Sequence, residues 1–219
     1  MPSPEPTHDA PRAKRFLLAA PEQRLLEAIA RRLPARVMPD HLTALGVVAA
    51  GGVCAAYALS NGGGGWLWAA SALLALQWLG DSLDGTLARV RHTERPRYGY
   101  YLDHLVDALA TALVGIGLGL SPYLLLASGL VIVLAYLALS INTYLETSVF
   151  GVFTLGYGPF GPTEARLALV ALNTAIALGA PLTLDVPALA IAGVMLVALA
   201  VRAARNLRAL ARIEPPVSA

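Results

Sequence analysis

Four aspartates set the chemistry open to this sequence. Asp81 and Asp84 are three residues apart and Asp103 and Asp107 are four apart, so on helices each pair shares one face. Both pairs lie inside or beside strongly apolar segments. An ionised Asp at mid-bilayer costs roughly 3 kcal/mol even on the forgiving insertion scale, so four unpaired ones would cost on the order of 10 kcal/mol. A cation must compensate, and bound divalent metal is the obvious candidate. All-carboxylate ligation favours hard ions such as Mg²⁺, Mn²⁺ or Ca²⁺, whereas Zn²⁺ normally recruits His or Cys. Four negative charges balance two divalent ions, and two metals bridging a phosphate stabilise displacement at phosphorus. His104 adjoins Asp103 but points about 100° round the helix from it and reads as a packing residue. His41 and His92 read as surface residues.

Gly85 and Gly99 serve ordinarily as helix-packing glycines. Beside carboxylates they have a second use, because backbone without a Cβ can approach a ligand closely. Ala88 keeps the same face open one turn after Asp84. Arg89 supplies a planar guanidinium suited to phosphate.

The elements that must position these groups are membrane helices. The chain is 57% hydrophobic and 14% charged, with mean hydropathy +0.62. A span needs about 20 residues, and spans are expected near 41–60, 66–88, 100–119, 122–142, 165–180 and 186–204. Residues 1–20, with four prolines in the first eleven positions, read as a disordered leader with no cleavable signal peptide. Within 21–38, residues 21–36 read as an amphipathic juxtamembrane helix, with Leu25, Leu26, Ile29 and Leu33 on one face. Such a helix can lie in the headgroup layer, its arginines near lipid phosphate. Pro34 and Pro39 end it, and Asp40 is placed to N-cap the first span. The expected fold is therefore all-α: a six-transmembrane-helix bundle over 39–212 carrying the catalytic groups, an interfacial N-terminal helix, and a tail at 213–219.

The 16 Lys and Arg fall at the N-terminus, around the junction of spans 2 and 3, at the start of span 5 and towards the C-terminus. The loops 61–65, 119–122 and 179–185 contain none. The positive-inside rule then puts both termini and the aspartates on the cytoplasmic side of the cell's inner (plasma) membrane. Cys54, the single cysteine, reads as a small buried residue. Gly51 and Gly52 on span 1 and Gly115, Gly117 and Gly119 on span 3 read as close-packing residues, and either set also suits a homodimer. No nucleic-acid partner is expected.

Asp81-x-x-Asp84-Gly85-x-x-Ala88-Arg89, followed by Gly99-x-x-x-Asp103-x-x-x-Asp107, resembles the signature of the CDP-alcohol phosphatidyltransferases, with every fixed position present. Nine residues separate Arg89 from Gly99, slightly more than the usual form, and they fall in a loop. The resemblance implies transfer of a substituted phosphate from a CDP-linked donor to an alcohol, with release of CMP. It implies that Asp81, Asp84, Asp103 and Asp107 hold two divalent cations, Mg²⁺ or Mn²⁺, and that Asp107 is also the base. Gly85, Ala88, Arg89 and Gly99 would surround the CDP moiety. Partners would be a CDP-linked lipid donor, an alcohol acceptor and membrane lipids.

One branch of the family joins CDP-diacylglycerol to a small alcohol or alcohol phosphate; another joins CDP-ethanolamine or CDP-choline to diacylglycerol. For a phosphorylated acceptor the cationic candidates are Arg166, Arg202 and Arg205. The stretch 142–166 faintly resembles an NGPTE-like region of the second branch, while GPTEAR (161–166) also reads simply as a helix start with Thr163 as N-cap. Acidic residues in spans also fit a cation transporter, but that reading leaves Gly85, Ala88, Arg89 and Gly99 unexplained.

Overall fold

A computed structural model describes residues 17–150 and 161–214. The expected leader (apart from its last four residues), the end of the tail and residues 151–160 of the NGPTE-like stretch lie outside them. The described residues form seven α-helices and no strand: α1 (Ala19–Ala30), α2 (Pro39–Leu59), α3 (Trp66–Val90), α4 (Pro96–Gly119), α5 (Leu126–Phe150), α6 (Pro162–Ala177) and α7 (Asp185–Ile213). A 3-10 turn at Ser60–Gly62 extends α2.

Prolines start three of these helices. Pro39, Pro96 and Pro162 occupy the first helical turn of α2, α4 and α6, where the missing N–H costs nothing and φ is already helical. This corrects the expected cap at Asp40: the N-cap is Met38, and the His41 ring accepts the Met38 N–H at 3.2 Å. Two helices end in the same motif. After α6, Gly179 at φ +95° lets its own N–H reach Ile176 O and the Ala180 N–H reach Ala175 O. After α3, His92 takes this left-handed position at φ +55°, with matching bonds to Arg89 O and Ala88 O.

Helix α3 packs against α2, α6 and α1, α2 against α4, α4 against α5, and α5 against α7. The order across the bundle is thus α6–α3–α2–α4–α5–α7. Glycines set the tightest crossings. A Cβ on Gly80 would lie 2.7 Å from Gly46 N and Leu42 O, and one on Gly117 would lie 2.5 Å from Cys54 Cα. Gly115 meets Val133 and Gly119 meets Leu126. Gly115, Gly117 and Gly119 are therefore packed against helices of the same chain.

The larger core gathers Val53, Tyr57, Leu67, Leu74, Leu124, Ile176 and Leu184. Its polar centre is closed: the Tyr57 hydroxyl donates to Asn173 Oδ1 at 3.1 Å, and Asn173 Nδ2 donates to Ser71 Oγ at 3.2 Å. A smaller core places Leu26 and Ala30 of α1 against Leu42, Leu83 and Leu87. Ile29 and Leu33 pack on it as expected, but Leu25 is half exposed. Helix α1 starts inside the expected leader and ends at Ala30, before either proline.

Among the described residues, four helices are long and apolar enough to cross a membrane: Pro39–Gly62, Pro96–Gly119, Leu126–Phe150 and Asp185–Ile213. Helix α3 carries Gln77, Asp81, Asp84 and Arg89, and α6 has only 16 residues. The expected span at 122–142 begins later, at Leu126, because Asp185 Oδ1 accepts the Leu125 N–H (3.1 Å) and the Ser128 hydroxyl (2.5 Å) and caps α5 from outside.

Candidate metal and phosphate site

Helices α3 and α4, both packed on α2, bring the aspartates together. Asp81 and Asp84 lie in the last turns of α3, Asp103 and Asp107 in the second and third turns of α4, and a five-residue turn (91–95) joins them. Arg91 fixes that turn by donating to the carbonyls of Val37, Leu33 (3.0 Å) and Pro34 (2.9 Å). Arg95 pairs with Asp40, whose hydrogen bond raises the Arg95 pKa, and lies 3.9 Å over the Tyr98 ring.

One carboxylate oxygen from each of Asp81, Asp103 and Asp107 falls within 4.8 Å of the others. Oxygen ligands bonded to one hard cation at about 2.0–2.6 Å lie up to about 4–5 Å apart across it, so the grouping fits a divalent ion. Charge argues the same way. Arg166 Nη2 donates to Asp81 Oδ2 at 2.7 Å, and one positive charge against three carboxylates leaves the group acidic.

Asp84 stands apart from this triad. Its Oδ2 accepts the Thr43 hydroxyl of α2 at 2.5 Å and its Oδ1 accepts the Gly85 N–H at 2.5 Å. The structure therefore unites three of the four expected ligands, with the fourth on the same α3 face but turned towards α2. His104 contributes no ligand atom to the triad. Its Nδ1 lies 2.6 Å from Tyr100 O and its ring packs between Tyr100 and Tyr144, as its packing reading requires.

Around the aspartates, Gly99 is exposed and a Cβ there would meet no atom within 4 Å. A Cβ on Gly85 would meet only Arg89 Nη1, at 3.4 Å. Ala88 is half-buried, and Arg89 is exposed with its Nη2 donating to Thr86 Oγ1 at 3.0 Å. Arg89 and Thr86 line a polar cavity of about 350 Å³ with Gln23, Glu27, Arg31 and His92.

The three acceptor candidates separate. Arg166, on the first turns of α6, sits directly on the aspartate group with both partners mostly buried. Arg202, on α7, is engaged elsewhere: Nε donates to Glu146 Oε1 at 2.9 Å, Nη2 pairs with Oε2, and Asn142 and Asn206 donate to the same carboxylate. Arg205 is exposed. The N-cap of α6 is Gly161, not Thr163, and Glu164 returns to accept the Gly161 N–H at 2.9 Å.

Sequence reading missed Thr43 and Gly80. The signal for Thr43 is a lone hydroxyl in an apolar run, and for Gly80 a glycine next to Asp81; neither names its partner. The family model described as CDP-alcohol phosphatidyltransferase matches residues 36–204. No curated protein matches the chain.

Proposed function

The chain belongs to the CDP-alcohol phosphatidyltransferase family, and from that premise we propose that it makes phospholipid in the membrane by moving a phosphatidyl group from CDP-diacylglycerol to a small polar alcohol or alcohol phosphate, releasing CMP. The observation that carries the reading is the Asp81, Asp103 and Asp107 group on α3 and α4, inside a family signature that is complete.

Asp81, Asp103 and Asp107, with Asp84, would hold two divalent cations, Mg²⁺ or Mn²⁺. Bound there, the cations neutralise the donor pyrophosphate and make CMP a better leaving group. Gly85 and Gly99 leave room for the CDP moiety, and Arg89 binds its phosphate. Asp107 takes the proton of the acceptor hydroxyl. The acceptor oxygen then bonds to the lipid-side phosphorus, and the bridging oxygen leaves with CMP.

Arg166 favours an acceptor that itself carries phosphate, because it is the cation nearest the reacting group while Arg202 is committed to Glu146. A CDP-ethanolamine- or CDP-choline-type phosphotransferase with a diacylglycerol acceptor stays the alternative; of its NGPTE-like stretch, Pro162 and Glu164 stand at the start of α6. The proposed setting is a six-helix bundle, α2–α7, with α1 in the cytoplasmic headgroup layer and both termini cytoplasmic.

The test is CMP release by purified protein with both donor types and a panel of alcohols, with lipid products identified by mass spectrometry. CMP release with CDP-diacylglycerol is expected and should stop on exhaustive chelation. Undiminished turnover after chelation, or no release with any donor, would refute the reading.

A further inference from the structure

Glu22 lies in the first turn of α1, outside the family signature, yet one of its oxygens joins three helices. Glu22 Oε1 accepts the indole N–H of Trp78 at 2.8 Å, the hydroxyl of Thr163 at 2.9 Å and the hydroxyl of Ser82 at 3.3 Å. Trp78 and Ser82 are one turn apart on α3, and Ser82 directly follows Asp81. Thr163 is on the first turn of α6, three residues before Arg166, so the two side chains share a helix face. A second tie runs in parallel: Glu164 Oε1 accepts the Leu18 N–H at 3.0 Å.

These contacts do a specific task. Helix α6 reaches the aspartates through the Arg166–Asp81 bond of 2.7 Å, and among the described residues its first turn is also hydrogen-bonded to Glu22 of α1 and to Leu18, the N-cap of α1. Helix α6 also packs along α3, and the bonds to Glu22 and Leu18 add to that packing at its first turn. A bond to a charged acceptor contributes more than a neutral one, and here a single carboxylate oxygen serves α3 and α6 at once.

The geometry points to Glu22 as a positioning residue: by holding Thr163 of α6 and Ser82 of α3 on one oxygen, it seats Arg166 on Asp81 and so sets the charge at the cation site. The inference rests on reading Asp81 as part of that site. It takes α1 beyond a membrane-surface helix and makes it a structural member of the active centre.

The test is Mn²⁺ affinity, measured by calorimetry with the metal alone on the full chain in lipid nanodiscs. Arg166 on Asp81 opposes a cation, so Arg166→Ala should tighten Mn²⁺ binding, by about 3- to 10-fold for a partly screened charge. Glu22→Ala should tighten it in the same direction, and the double variant should bind no tighter than Arg166→Ala alone. Glu22→Gln, whose amide oxygen can accept the same bonds, should stay within about 2-fold of the wild type. Should Glu22→Ala fail to fold, Thr163→Val cuts only the α6 tie and should shift Mn²⁺ affinity the same way. Wild-type affinity in a folded Glu22→Ala or Thr163→Val protein, or multiplicative effects in the double variant, would overturn the inference. CMP release by the wild type in the same nanodiscs is scored separately. Its absence would refute the enzymatic reading and leave the Mn²⁺ comparison decisive for Glu22.

Discussion

Gly80→Ala tests how the site is built, because its cost can be worked from the backbone. The added Cβ would lie 2.7 Å from Gly46 N and Leu42 O and 2.9 Å from Gly46 Cα. These are backbone atoms of α2 and cannot swing aside. Comfortable contact begins near 3.5 Å, so α2 and α3 must part by about 0.7 Å. The same movement stretches the 2.5 Å bond between Thr43 and Asp84 across that crossing to about 3.2 Å. Overpacking of this kind costs about 1–3 kcal/mol, and about 2–4 °C of melting temperature accompanies each kcal/mol in a chain of this size. The expected result is a melting temperature lower by about 2–12 °C, with weaker Mn²⁺ binding because residue 81 moves with residue 80. Gly51→Ala is the control: nothing lies within 4 Å of its Cβ, and Gly to Ala in a helix interior should stabilise by about 0.5–1 kcal/mol. Thermal melting in nanodiscs reads both. A Gly80→Ala protein that melts at or above the wild type would show that the crossing is not held closed by this glycine.

Gly99→Ala should leave the melting temperature unchanged or slightly raised, since its Cβ meets only open space within α4; weakened CDP-donor binding by calorimetry would then report the ligand's own approach to residue 99. Asp107→Asn keeps a ligating oxygen but cannot take the acceptor's proton, so CMP release should fall about 10²- to 10⁴-fold while donor affinity falls much less. Asp84→Asn, by contrast, should lower donor and metal binding together; equal losses of binding and turnover in both variants would make Asp107 only a ligand. Arg202→Ala leaves the Glu146 side chain, 7% exposed, without its ion-pair partner, which typically costs about 3–5 kcal/mol. Adding Glu146→Gln should restore much of that stability on thermal melting, and failure to do so would deny the pair its structural role. His92→Gly should raise the melting temperature slightly by relieving a left-handed non-glycine residue, worth about 0.5–1 kcal/mol.

Much of the site was legible because it is local. The three- and four-residue spacings put each aspartate pair on a helix face, and the short polar turn between them folds the two faces together. What stayed hidden depends on partners distant in sequence. Arg166 meets Asp81 across 85 positions, and Thr43 meets Asp84 across 41. No periodicity marks such pairings, because they follow from which helices become neighbours. The two misplaced N-caps share one local cause. A proline in the first turn pushes the preceding residue into extended backbone, so Met38 at ψ 154° and Gly161 at ψ −174° become the caps and displace the better side-chain cappers. The apolar stripe of α1 was visible, but its polar edge at Glu22 acquires meaning only when α3 and α6 stand beside it.

The order α6–α3–α2–α4–α5–α7 has a consequence for how the molecule comes apart. In the most apolar stretch of α2, 44% is buried against the rest of the protein; in that of α7, 11% is. Helix α7 is anchored chiefly through α5, by its Arg202–Glu146 cluster and its Asp185 cap. Local opening free energy follows such contact density. In hydrogen exchange the backbone amides of α7 should therefore open well before those of α2 and α3. A detergent that strips lipid would free the α5–α7 flank first, while the aspartates keep their spacing on the slow-exchanging side. Loss of that flank and loss of the cation site would then be two separate events along one denaturation curve.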